Sequence, residues 1–131
     1  TICAPVMSQY AALEGLKDGF TDGFSAVEYM CAEYDRRRRF MVDFFNGCGL
    51  PCFEPRGAFY AYPSVEGTGM TGEQFANELL REEKVAVVPG GACGEAGSFH
   101  VRCAYATSMA SLDEATMRIA RFVRKRKGGA V

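Results

Sequence analysis

The chain has a single histidine, His100, and no Cys-x-x-Cys pair. A tetrahedral zinc site is therefore short of ligands. Cys48 and Cys52 are a weak match to zinc-ligand spacing, and no second pair follows them. Neither charge is in surplus: 15 Lys and Arg stand against 16 Asp and Glu, a net charge of −1. A general nucleic-acid binder would show a basic excess, so that class starts low. No apolar run approaches the ~18 residues that a membrane helix needs. The first ten residues lack a basic stretch followed by a long apolar one, so no secretory signal is legible. Repeats and low-complexity tracts are missing too. So is an initiator methionine: the chain starts at Thr1, and the expectation is a piece of something longer.

What remains is a globular balance. The 131 residues are 48% hydrophobic, 12% aromatic and 24% charged, enough for one domain with a real core. Cys3, Cys31, Cys48, Cys52, Cys93 and Cys103 are scattered, several of them inside apolar stretches. They read as free thiols acting as small hydrophobes in a reducing compartment, rather than as a secreted disulfide scaffold.

The pattern gives helix, long helix, strand, helix, strand, strand, helix. Ser8 is a cap for a first helix over Gln9–Lys17, with Gly19 and Gly23 breaking it. Phe24, Val27, Met30, Cys31, Tyr34, Met41, Phe44, Phe45 and Cys48 recur at helical steps, with Ser25 and Glu28 as a capping box. At ~1.5 Å per residue, about 24 residues reach roughly 36 Å. A helix of that length hints at a neighbouring domain. Gly57–Tyr62 is rich in aromatics and reads as a strand. Thr71 and Gln74 form a capping box for a helix over Glu73–Glu83, with Phe75, Leu79 and Leu80 inward. Val85–Val88 is wholly apolar and predicts a buried strand. Phe99, Val101, Cys103 and Tyr105 alternate with His100, Arg102 and Ala104. Ser111 and Glu114 cap a last helix with Leu112, Ala115, Ile119, Phe122 and Val123 as its core stripe, and Gly128 and Gly129 end it.

Several features that could carry chemistry read as structural. Arg36–Arg39 are consecutive on one helix and point around the whole cylinder, with Arg38 near the apolar stripe and available to an acid. Arg121 and Arg124–Lys127 complement the dipole at a helix C-terminus. The loop Gly90–Gly97 feeds a strand, whereas a phosphate cradle feeds a helix N-terminus. His100 and Cys103 fall on opposite faces of one strand and cannot meet as base and nucleophile. Arg102 is the odd residue, mid-strand between Val101 and Cys103. An arginine there either clamps a carboxylate with its planar fork, or pairs with an internal acid or snorkels to solvent.

Taken in order, Pro55-Arg-Gly-Ala-Phe-Tyr60, Phe75-Ala-Asn-Glu-Leu-Leu80, Val85-Ala-Val-Val-Pro-Gly90, Val101-Arg-Cys-Ala-Tyr-Ala-Thr-Ser108 and Leu112-Asp-Glu-Ala115 resemble a known family. They look like the C-terminal part of a class I/II aminotransferase, the fold-type I pyridoxal-phosphate enzymes related to aspartate aminotransferase. Gln9-Tyr-Ala-Ala-Leu and Tyr34-Asp-Arg-Arg-Arg fit as well, so the resemblance covers nearly the whole chain. Cys93 departs from it, where relatives commonly carry Phe. The resemblance implies an α+β fold, a sheet of three to four strands flanked by helices, one of them long. It implies that residues 1–131 are the small domain of an amino-group transferase acting between an amino acid and a 2-oxo acid. Arg102 matches the family arginine that binds the substrate α-carboxylate, and Phe59 matches a position at the active-site mouth. The family's catalytic lysine and its pyridine and phosphate contacts lie in a large domain upstream of Thr1. No catalytic or cofactor-binding residue is therefore expected here, and Lys17, Lys84, Lys125 and Lys127 read as surface. Pyridoxal 5'-phosphate is the implied cofactor of the whole enzyme, not bound by this piece alone. The implied partners are its own large domain and a homodimer mate in the cytoplasm, without nucleic acid or membrane. The alternative is a stand-alone α/β module that binds small carboxylates through Arg102.

Overall fold

A computed structural model of the chain describes residues 3–128. The chain divides into two compact units, Thr1–Asp35 and Arg36–Val131.

The first unit holds α1 (Val6–Asp22) and the start of α2 (Ser25–Gly47). α1 begins right after Pro5, whose fixed φ of −55° suits a helix start, so Ser8 is an interior residue and not the cap. Gly19 does not break the helix either. It is a packing residue: a Cβ there would lie 2.3 Å from the Phe24 ring. The chain turns at Gly23 and Phe24, both in the left-handed region, and the Phe24 N–H closes onto Gly19 O at 2.9 Å. The predicted Ser25–Glu28 capping box is replaced by Asp22. Its carboxylate accepts from the Phe24 N–H and the Ser25 hydroxyl, and the Ser25 bond holds its pKa below the usual range.

The second unit contains the sheet. β1 (Tyr60–Ala61), β2 (Val88–Pro89) and β3 (Val101–Ala104) run antiparallel in the order β1-β3-β2. Tyr60 lies opposite Ala104, and Val88 opposite Arg102. α3 (Gly72–Glu83) packs against α4 (Met109–Arg126) and against β2 and β3. The inward face of the sheet supplies Ala61, Val101 and Cys103. The helices bury Phe75, Leu79, Leu112, Ile119, Phe122 and Val123, with Phe75 and Phe122 edge to face at 5.2 Å. This is the α+β architecture expected, at the three-strand end of the range.

Some local expectations fail. The stripe on α2 is buried at Met41 and Phe45, whereas Val27 and Met30 stay about half exposed. Periodicity names the face a helix can bury; it does not supply the neighbour. Leu80 is 49% exposed, and Ala76 takes its place inward. Val85–Val88 is not a buried strand. Only Val88 and Pro89 pair, at the sheet edge, and Val88 is 37% exposed. Phe99 belongs to the turn before β3 and is 45% exposed. The cap of α4 is Ser108, whose hydroxyl accepts from Ser111 N–H at 3.1 Å, while Glu114 pairs with Arg118. The Thr71–Gln74 capping box is present as predicted. Of the cysteines, Cys52 and Cys103 are buried, Cys48 is half-buried, and Cys3, Cys31 and Cys93 are exposed, so the reading as small hydrophobes holds for only half of them. Gly128 follows α4 with φ +69°, and Gly129 lies outside the described residues.

Glu83, at the end of α3, is 5% exposed. A carboxylate at a helix C-terminus opposes the dipole. It is held there by Arg121, which donates through Nε to both oxygens at 3.1 and 2.9 Å, and by Lys125 at 3.5 Å. The Arg121 bonds hold its pKa below the usual glutamate range. A carboxyl whose pKa is lowered by folding stabilises the fold at neutral pH, and that contribution fades as acid protonates it. Glu83→Gln is therefore expected to lower the melting temperature at pH 7, with the gap to wild type closing below about pH 4.3. Melting curves across the acid range check this; a gap independent of pH would count against it.

Candidate functional site

The pleat of β3 sends Val101 and Cys103 into the core and Arg102 and Ala104 to the opposite, open face. Tyr60 lies opposite Ala104 and therefore diagonal to Arg102 on that same face. The Arg102 guanidinium carbon sits 4.6 Å from the centroid of the Tyr60 ring. Arg102 is half-buried, yet among the described residues its side chain makes no ion pair and no hydrogen bond. Other half-buried arginines contrast with it: Arg38 is paired with Glu54, Arg118 with Glu114, and Arg126 with Glu78 and Glu82. The acid that Arg38 was expected to find is present. Arg102, for which an internal acid was one of the open readings, has none among the described residues.

Phe59 precedes β1 and is 37% exposed. Tyr105 pins its backbone: the Tyr105 N–H donates to Phe59 O at 2.9 Å and the Tyr105 hydroxyl to Ala58 O at 3.2 Å. The turn is tight enough to put Ala58 at φ +56°. The Phe59 and Tyr60 rings meet at 4.6 Å with a 48° tilt. Tyr60 thus touches both residues singled out from the sequence, although nothing in the sequence singled out Tyr60. Only the register between β1 and β3 makes it Arg102's neighbour.

A second pair lies further along the same faces. Tyr62 and His100 stack at 5.0 Å, nearly parallel. Together with Asn46, Cys52, Phe53 and Ser64 they line an open cleft of about 500 Å³. The Tyr62 hydroxyl donates to Gly90 O at 3.1 Å, and Gly90 N–H donates to His100 O at 2.8 Å. Gly90 and Gly97 cross so closely that a Cβ on either would come within 2.5 Å of the Tyr62 oxygen. The glycines serve close packing, and the loop between them makes two short 3₁₀ turns before β3.

The buried thiols are poor nucleophiles. Burial, with Cys52 nearby, pushes Cys103 up to about 12, and burial raises Cys52 as well. Among the described residues no cluster of His, Cys, Asp and Glu could hold a metal, and no helix is long and apolar enough to cross a membrane. All four lysines are exposed, and each has a partner of its own. Lys17 pairs with Glu14, Lys84 donates to Arg81 O, Lys125 pairs with Glu82 and Glu83, and Lys127 donates to Cys48 O and Gly49 O.

The family profile described as aminotransferase class I and II matches residues 1–119. The chain belongs to the class I and II aminotransferases. The Bacillus subtilis protein YugH is 53% identical over 124 residues, which are 95% of this chain and 31% of YugH. An aspartate aminotransferase of Pyrococcus abyssi is 44% identical over 125 residues, 95% of this chain and 32% of that protein. In structure, the chain resembles the aromatic aminotransferase of Pyrococcus horikoshii with a TM-score of 0.85 and 46% identity. The match covers 91% of this chain and 31% of that one. The chain therefore spans about a third of the length of the aminotransferases it matches. The resemblance in the ordered motifs and the α+β sheet with its long helix agree with this membership.

Proposed function

We propose that residues 1–131 are the small domain of a pyridoxal-phosphate-dependent aminotransferase, and that this domain supplies the clamp for the substrate α-carboxylate. The whole enzyme moves an amino group between an amino acid and a 2-oxo acid, in the cytoplasm, as a homodimer. Arg102 is the clamp and Phe59 borders the substrate at its mouth. One observation carries the reading: a half-buried guanidinium on the open face of the central strand, with no acid of its own among the described residues. Its donors remain free for a ligand, and its planar fork matches two carboxylate oxygens.

On this reading the cofactor's anchors lie in the large domain, not in this chain. No lysine lies on β1, β2 or β3, and the glycine-rich loop leads into a strand, not into a helix N-terminus that could hold a phosphate. When bound, pyridoxal phosphate is the electron sink of amino transfer. This chain's share is to bind the carboxylate and hold the reacting carbon in place.

The test is to express the chain with and without the reading frame upstream of Thr1. The longer protein is expected to exchange amino groups between amino acids and 2-oxo acids when supplied with pyridoxal phosphate, and the 131-residue chain to show none. A start codon close to Thr1 would favour the stand-alone carboxylate-binding module instead, and turnover by the short chain alone would overturn the assignment of the catalytic machinery to the upstream domain.

A further inference from the structure

We propose that Tyr60 is a positioning residue for carboxylate recognition: its ring holds the Arg102 guanidinium in place while leaving every N–H of that group free. The inference rests on Arg102 being the carboxylate clamp.

A long arginine side chain on an open sheet face samples many rotamers, and a clamp must be fixed before it binds well. An acid could fix it, but only by occupying the fork that the substrate needs. An aromatic ring does so through the face of the guanidinium plane, and the donors lie along the edge of that plane. The structure brings the two groups within reach of that contact: the guanidinium carbon lies over the Tyr60 ring, 4.6 Å from its centroid, and the side chain makes no ion pair or hydrogen bond among the described residues. Tyr60 is itself well held. Its backbone is in register opposite Ala104, and its ring packs against Phe59 at 4.6 Å. The Tyr60 hydroxyl forms no hydrogen bond among the described residues, so the ring and not the oxygen carries the role. Phenylalanine should therefore substitute, and an aliphatic residue should not.

The experiment uses the full-length enzyme, with an amino acid it turns over and the amine left when that carboxylate is removed. The binding probe is the same acid with hydrogen in place of the amino group. Tyr60→Leu is expected to raise the KM for the amino acid and the dissociation constant of the probe acid by roughly threefold to thirtyfold. The amine should change by less than about twofold, and Tyr60→Phe should behave like wild type. Tyr60→Thr, which suits a strand, repeats the test should the leucine variant fold poorly. Suppose Arg102→Ala abolishes the preference for amino acid over amine while folded Tyr60→Leu or Tyr60→Thr leaves it intact. Then the clamp stands and the positioning role falls. A loss equal for amino acid and amine would likewise mark Tyr60 as merely structural. If Arg102→Ala itself leaves the preference intact, both ideas fall together.

Discussion

Replacing Arg102 with alanine in the full-length enzyme is expected to lower kcat/KM for amino acids by roughly thirtyfold to several thousandfold. Truncating one member of a desolvated charge pair costs about 2–5 kcal/mol, and each 1.4 kcal/mol is about a factor of ten. Amines without the carboxylate should lose far less, since they never used the contact. Arg102→Lys keeps the charge but not the fork, so it should recover only a minor part of the loss. The prediction separates binding from packing. Arg102 has no internal acid among the described residues, so its removal strands no buried partner and should leave the fold intact. A packing role would lower stability and leave activity per folded molecule unchanged. Steady-state kinetics on well-folded variants, with amino acid and amine compared side by side, decides between them. Amino-acid turnover within threefold of wild type would falsify the carboxylate role.

The largest loss of stability is expected at Phe122. Its side chain is fully buried, meets Phe75 edge to face, and carries the Arg126 guanidinium 4.6 Å from its ring. Phe122→Ala removes the ring and leaves a cavity, at about 3–5 kcal/mol. That is a large share of the ~5–15 kcal/mol that a domain of this kind holds in total. Met117 sits on the same helix, 66% exposed, and Met117→Ala should change stability by no more than about 0.5 kcal/mol. Urea unfolding followed by far-ultraviolet circular dichroism gives both values. Similar losses at the two positions would mean that α4 does not pack through the face assigned to it.

The capping box of α3 was legible because its signals are local. Thr71 and Gln74 lie three residues apart and satisfy each other's backbone groups whatever surrounds them. Leu112, Ile119, Phe122 and Val123 fall on one stripe of α4 for the same reason. The sequence pattern places the cap of α4 three residues late, at Ser111; the extended backbone of Ser108 makes it the cap. Gly19 was misread because a glycine in a helix can signal a break or a close approach, and only the Phe24 ring folded against it tells which.

The site divides along the same line. Arg102 stands out in the chain because a charged residue interrupts an apolar strand, and the ordered motifs around it carry the family resemblance. That it has no acid partner is a statement about every described residue that could have reached it, and only the folded chain can make it. Tyr60 lies 42 positions upstream, one aromatic among several in its segment. Its place on Arg102 follows from Tyr60 pairing with Ala104, and a register shift of one residue would turn its ring to the other face of the sheet. Helix periods, caps and the family are written in neighbouring residues. Which aromatic ring lies on Arg102, and which face of β3 stays open, depend on strand pairing between distant segments.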